Sequence, residues 1–144
     1  MGYRSDVRIV TSKRGYKELL KSISDYYKKN NVPKEYQFDL INNLDVNGEN
    51  KFQKYFGWNS IKWYSYPDVE AIEEGLRKLE EKDLSYRFAR LGENYEDYEE
   101  YYHDSSNEKE QDLEWPSLER YFNDSYVIEH INEQDKRIKE EVER

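Results

Sequence analysis

At 144 residues the chain fits one domain, and with 35 % hydrophobic and 38 % charged residues it has little apolar material for a core. Fifteen Tyr, five Phe and three Trp offset that shortage with large buryable rings, and this aromatic content argues against disorder. The absence of cysteine excludes disulfides and thiolate chemistry, no window holds the ~20 apolar residues of a membrane span, and a net charge of −9 disfavours direct nucleic-acid binding.

The first element is a strand over Tyr3–Thr11, where Val7 and Ile9 alternate with Asp6, Arg8 and Val10. Ser12 can then cap a helix over Lys13–Asn30, in which Tyr16, Leu19, Leu20, Ile23 and Tyr27 share one face. Phe38–Val46 reads as a second strand, closed by Asn47-Gly48, a strong tight-turn signal. The aromatic stretch Phe52–Tyr66 supplies a third strand over Trp58–Tyr64, with Gly57 marking a bend. Pro67 opens a second helix over Asp68–Lys82, with Val69, Ile72, Leu76 and Leu79 as its buried stripe. Leu84–Leu91 is a fourth strand, Tyr86 and Phe88 facing one way and Arg87 and Ala89 the other. The order β-α-β-β-α-β predicts a ferredoxin-like α+β sandwich over residues 1–104.

Beyond Gly92 two readings stay open for Tyr95–Tyr102: an extra strand hairpinned to Leu84–Leu91, or a helix with Tyr95, Tyr98 and Tyr102 on one face. Ser105–Asp112 has no apolar residue and reads as a mobile loop. Leu113, Trp115, Leu118, Tyr121 and Phe122 can dock back onto the domain, and the end of the chain is helical, with Ile128, Ile131, Ile138 and Val142 among charges. Residues 105–144 are therefore set apart as an acidic, partly helical C-terminal extension.

The acidity is one-sided. Residues 1–45 carry a balance of +3, residues 46–90 a balance of zero and residues 91–144 a balance of −12. Its densest part, Gly92–Asp104, interleaves carboxylates with tyrosines. An ordered row of carboxylates can imitate nucleic-acid phosphates, and tyrosines supply the contacts that hold an interface. The competing account is a solvated edge strand whose charges discourage aggregation. The predicted protein-binding residues are Glu93, Tyr95, Glu96, Asp97, Tyr98, Glu99, Glu100, Tyr101, Tyr102 and Asp104.

Reactive constellations are poor. His103 and His130 lie far apart with no cysteine or His-x-His partner, which argues against zinc, and no calcium-loop order of ligands is present. His103-Asp104-Ser105-Ser106 has the residue types of a nucleophilic site, but sequence neighbours do not make a triad. The six glycines are isolated, so no phosphate-cradling loop is expected. No catalytic residue, metal or cofactor is assigned. Arg4, Arg8, Lys13, Arg14, Lys17 and Lys21 form a basic N-terminal third that reads best as a helix surface. The start of the chain has no apolar leader and no myristoylation pattern, pointing to a cytoplasmic protein.

Three stretches carry a resemblance: Gly2-Tyr-Arg-Ser-Asp-Val7, Ile61-Lys-Trp-Tyr-Ser-Tyr-Pro-Asp-Val69 and Tyr86-Arg-Phe-Ala-Arg-Leu-Gly-Glu-Asn-Tyr-Glu-Asp97. Over roughly residues 2–100 the chain resembles a group of small tailed-bacteriophage proteins that begin with a Tyr-Arg-Ser-Asp-Val-like run. The resemblance implies a phage origin, an accessory role in the host cytoplasm and a strand hairpin about Gly92. It assigns no activity. With the acidic run it suggests a non-enzymatic, anti-CRISPR-like inhibitor of a host defence or other basic nucleic-acid-handling protein. The alternative is a sponge-like module for a nucleotide signal, with Arg4, Arg8 or Arg87 on the phosphates. The target and oligomeric state, a dimer included, stay open.

Overall fold

The computed structural model describes residues 2–64, 67–94, 96–107, 112–117 and 122–143. It is an α+β structure built on one five-stranded antiparallel sheet. The strands are β1 (Ser5–Ser12), β2 (Val46–Glu49), β3 (Gln53–Ile61), β4 (Tyr86–Gly92) and β5 (Tyr98–His103). The helices are α1 (Lys13–Lys29), the single turn α2 (Asp39–Asn42), α3 (Pro67–Glu81) and α4 (Asp124–Glu143). The sheet order β2-β3-β1-β4-β5 puts the apolar first strand at the centre and leaves β2 and β5 at the edges.

Strand alternation sends β1 side chains to two different cores. Val7 and Ile9 face α1 and α3, joining Leu19, Ile23, Phe56, Trp58, Ile72, Leu79 and Phe88. Val10 faces the other way and meets Tyr55, Leu113, Val127 and Ile131, so α4 covers the opposite side of the sheet. The first set contains Leu19, Ile23 and Tyr27 of the α1 stripe, with Tyr16 packed against it, and all of the α3 stripe, while Leu20 belongs to neither set. Ser12 caps α1 by accepting from the Gly15 N–H at 2.9 Å. Residues 105–144 thus contribute Leu113, Phe122, Val127 and Ile131 to the buried interior. Leu118 and Tyr121, also expected to dock, lie outside the described residues, as do positions 108–111 of the expected loop.

The second strand is displaced from its expected place. Phe38 adopts a left-handed backbone (φ 61°) and starts α2 instead of a strand. Tertiary hydrogen bonds hold it there: the Phe38 N–H donates to the Tyr27 hydroxyl at 3.0 Å, and the Leu40 N–H to Asp68 Oδ2 at 2.9 Å. The Tyr27 hydroxyl in turn donates to Asp68, which is buried. Asn47-Gly48 is not a turn but part of β2. Gly48 is required by a close approach, because a Cβ there would stand 2.7 Å from Ile128 of α4. The turn into β3 belongs to Asn50, whose Oδ1 accepts from the Phe52 and Gln53 N–H groups at 2.8 and 2.9 Å. The third strand accordingly begins at Gln53, five residues before the expected Trp58, and ends at Ile61.

Two ion pairs fasten α4 and β5 to the sheet. Arg8, on the α4 side of β1 and 2 % exposed, donates to both oxygens of Asp124 at 3.0 and 3.3 Å, to Asn59 Oδ1 at 2.5 Å and to the Trp58 carbonyl at 2.9 Å. The Tyr55 hydroxyl donates to Asp124 at 2.5 Å, and Phe122 stacks on the guanidinium, its ring centre 4.7 Å away. Arg90 makes the second anchor, described with the site below.

Candidate tyrosine-rich docking edge

The Gly92–Asp104 run forms the outermost hairpin. Of the two readings open for Tyr95–Tyr102, the strand is the one present: β5 pairs with β4 through Leu91↔Tyr98, Arg90↔Glu99, Ala89↔Glu100, Phe88↔Tyr101, Arg87↔Tyr102 and Tyr86↔His103. In this register Glu99, Tyr101 and His103 lie on the α3 side of the sheet, and Tyr98, Glu100 and Tyr102 on the α4 side. The interleaved sequence is therefore divided between two faces and does not form one continuous row. Tyr95 lies outside the described residues.

Several of the carboxylates are matched from within. Arg90 donates to Asp97 at 2.7 and 3.1 Å, to Glu99 at 2.8 Å and to Ser5 at 2.9 Å. The Tyr3 hydroxyl adds a bond to Asp97 at 2.6 Å. Arg90 first and Tyr3 second hold the Asp97 carboxyl below its ordinary range. Arg87, 4 % exposed, reaches Asp104 at 2.5 Å and the His103 carbonyl at 3.2 Å. Glu93 accepts the Arg4 N–H at 2.8 Å from an exposed position, Glu96 stands exposed in the turn, and Glu100 accepts the Tyr98 hydroxyl. Partial burial first, then that bond, raises the Tyr98 pKa and keeps the phenol neutral. Two buried arginines thus cancel part of the charge that the sequence displays.

The rings remain outward. Tyr98, Tyr101, Tyr102 and Trp115 are 40, 55, 55 and 42 % exposed, large rings on both faces of an edge strand, Tyr101 on the α3 side and the others on the α4 side. They are also held in place. Tyr101 lies 5.7 Å from Phe88, which continues inward through Trp63 at 5.9 Å and Trp58 at a further 5.5 Å. Tyr102 meets Trp115 edge-on at 5.2 Å, and Trp115 covers the Arg87 guanidinium at 4.2 Å. On the α3 side, Tyr101, Phe88, Tyr86 and Leu76 floor a groove of about 560 Å³ rimmed by Glu73, Glu80, Glu99 and Arg77. Partial desolvation at the groove rim raises the Glu73 pKa although the residue as a whole is exposed, against the opposing pull of the Trp63 indole and Arg77.

Trp115 and the α3 carboxylates were not among the residues expected at this site. The spacing of Glu73, Arg77 and Glu80 at i, i+4 and i+7 was the available signal, since it marks one helical face.

His103, Ser106 and Asp83 do come together, in an order unlike that of a nucleophilic site. His103 Nε2 lies 2.8 Å from Asp83 Oδ1, and the Ser106 hydroxyl and N–H both bond the same carboxylate. The carboxylate stands between serine and imidazole, where nucleophile activation requires the imidazole. Ser106 first and His103 second push the Asp83 pKa down to about 2. The cluster clips the end of β5 to the turn after α3. Among the described residues, no group of three or more His, Asp or Glu side chains is arranged to hold a metal ion, and no helix is long and apolar enough to cross a membrane.

No protein-family model matches this chain, and no curated protein or solved structure matches it either.

Proposed function

We propose that this chain is a non-enzymatic binding protein whose partner, a basic protein, docks on the β5 edge. The observation that carries the reading is the set of exposed rings flanking β5, Tyr101 on one face and Tyr98, Tyr102 and Trp115 on the other, with Tyr101, Tyr102 and Trp115 braced by ring contacts, on an edge that no strand pairs among the described residues. Large rings held rigid supply contact area at low entropic cost, and carboxylates nearby steer a cationic partner to them. The internal pairing of Asp97, Glu99 and Asp104 shifts the weight from imitation of a phosphate row toward tyrosine contacts. We read the β4-β1-β3-β2 part of the sheet with α1 and α3 as a ferredoxin-like core, to which β5 and α4 are added. With the phage resemblance, the biological role we propose is inhibition of a host defence protein that handles nucleic acid.

The test is site-specific photocrosslinking in host lysate. A benzophenone side chain is placed at Tyr101 or Tyr102, and at Lys17 on α1 as control. We expect one adduct, common to the two β5 positions, reduced but not abolished at high salt and missing at Lys17. Equal labelling from all three positions would remove the basis for the reading.

The nucleotide-sponge alternative has weaker support. Arg8 and Arg87 are buried in the pairs described above, and Arg4 donates to the Ser60 carbonyl at 2.8 Å, so the three arginines named for phosphates are already engaged.

A further inference from the structure

Resting on that reading, we infer that the partner binds as an extended basic segment which adds a sixth strand to the free edge of β5. Along Tyr98–His103 alternate backbone groups point away from β4, no strand among the described residues pairs with them, and strand addition satisfies such groups directly. Two chemically different environments flank this edge. On the α3 side, an added strand's side chains fall beside Glu99, Tyr101 and His103, at the mouth of the groove bounded by Glu73 and Glu80. The groove has an aromatic floor and, with Glu99 already paired to Arg90, the carboxylates of Glu73 and Glu80 against one guanidinium, Arg77. That combination suits the long apolar stem and charged head of arginine or lysine. On the other side, the added strand's alternate residues fall beside Tyr98, Glu100 and Tyr102, with Trp115 stacked on Tyr102. That side suits apolar or β-branched residues. Because strand side chains alternate at a period of two, the occupant is a segment that alternates basic with apolar residues.

The same geometry explains the charge on β5. Glu99 and Glu100 discourage pairing with a second copy of this acidic edge, while a basic strand meets no such repulsion.

The probe is a nine-residue peptide alternating Arg with Val, compared with a peptide of the same composition in which the five arginines precede the four valines. Binding to the full chain is followed by titration, and by amide hydrogen exchange resolved residue by residue. The alternating peptide should slow exchange of β5 amides, shift the resonances of Glu73, Arg77 and Glu80, and bind about tenfold more tightly than the block peptide. The double variant Glu73→Gln/Glu80→Gln, at two exposed helix positions, should weaken the alternating peptide about tenfold with its melting temperature unchanged. Equal binding of both peptides, no protection in β5, or no binding at all would overturn strand addition. Failure here, with the crosslinks at Tyr101 and Tyr102 intact, would leave docking at this edge standing and remove only the mode; loss of those crosslinks removes the docking reading itself.

Discussion

Arg8 shows how a single charged residue can hold a small core together. It sits on the central strand, and its guanidinium has no water to fall back on if Asp124 is removed. Asp124→Ala should therefore destabilise the protein by about 3 kcal/mol, measured by urea unfolding, because it strands a buried charge and the Tyr55 hydroxyl together. The double change Arg8→Met/Asp124→Leu should cost less than Asp124→Ala alone. If the double is worse, the pair contributes in its own right. Titration effects follow from the same kind of contact. Asp83, Asp97 and Glu49 have folded pKa values below their ordinary values of 3.8, 3.8 and 4.5, so the stability they contribute is fully present above about pH 5 and is lost as pH falls. For Asp83 that loss extends down to about pH 2, and Asp83→Asn should flatten the acid limb of a melting-temperature profile between pH 2 and 4. Tyr27 and Tyr55 are shifted the other way, chiefly by burial and then by their bonds to Asp68 and Asp124. Their contribution is complete below their ordinary pKa of 10.0 and lost above it, so the melting temperature should fall from pH 10 upward.

At the scale of elements, α4 depends on close fit. Ile131 is fully buried between the helix and Val10, and Ile131→Ala should cost about 2–4 kcal/mol in the same unfolding assay. Gly48 tests the fit from the sheet side. Gly48→Ala should destabilise by about 1–3 kcal/mol through overpacking against Ile128. Combining it with Ile128→Ala should recover part of that loss, and strict additivity of the two changes would show that the contact is not the cause. This glycine also marks where sequence reading gave out. Asn47-Gly48 has the form of a hairpin turn, yet the constraint comes from a helix eighty residues further on, which no local pattern contains. Phe38–Val46 misled for a related reason, because Asp68 and Tyr27 impose helical geometry on it from outside. Helices α1 and α3 and the central strand were legible, since the two helical stripes face one core and the alternation of β1 is a local period-two pattern. At the site, the Tyr and acid residues of β5 were legible as types. Their division between two faces followed once the strand was chosen over the helix. The arginines beneath them were not, because no local pattern marks Arg87, read as a possible phosphate contact, or Arg90 as a buried partner of Asp97, Glu99 and Asp104.

For the whole molecule, the two parts of the proposed interface should act on different rate constants. The acidic C-terminal third, at −12, produces a long-range field, whereas Tyr101 and Tyr102 act only on contact. Steering by charge changes how fast partners meet, and buried ring contacts change how long they stay. Once the crosslinked partner is in hand, surface plasmon resonance can separate the two. Glu93→Lys/Glu96→Lys/Glu100→Lys changes three carboxylates outside the arginine pairs, and should lower the association rate about tenfold at low salt while leaving dissociation nearly unchanged. Tyr101→Ser/Tyr102→Ser should speed dissociation by about tenfold to a hundredfold with little change in association. The charge effect should fade as salt is raised toward 0.5 M, while the tyrosine effect should persist, because about 4 Å of screening length silences distant carboxylates but not rings in contact. If both variants altered dissociation alone, the acidic third would be part of the contact surface and its field would have no separate role.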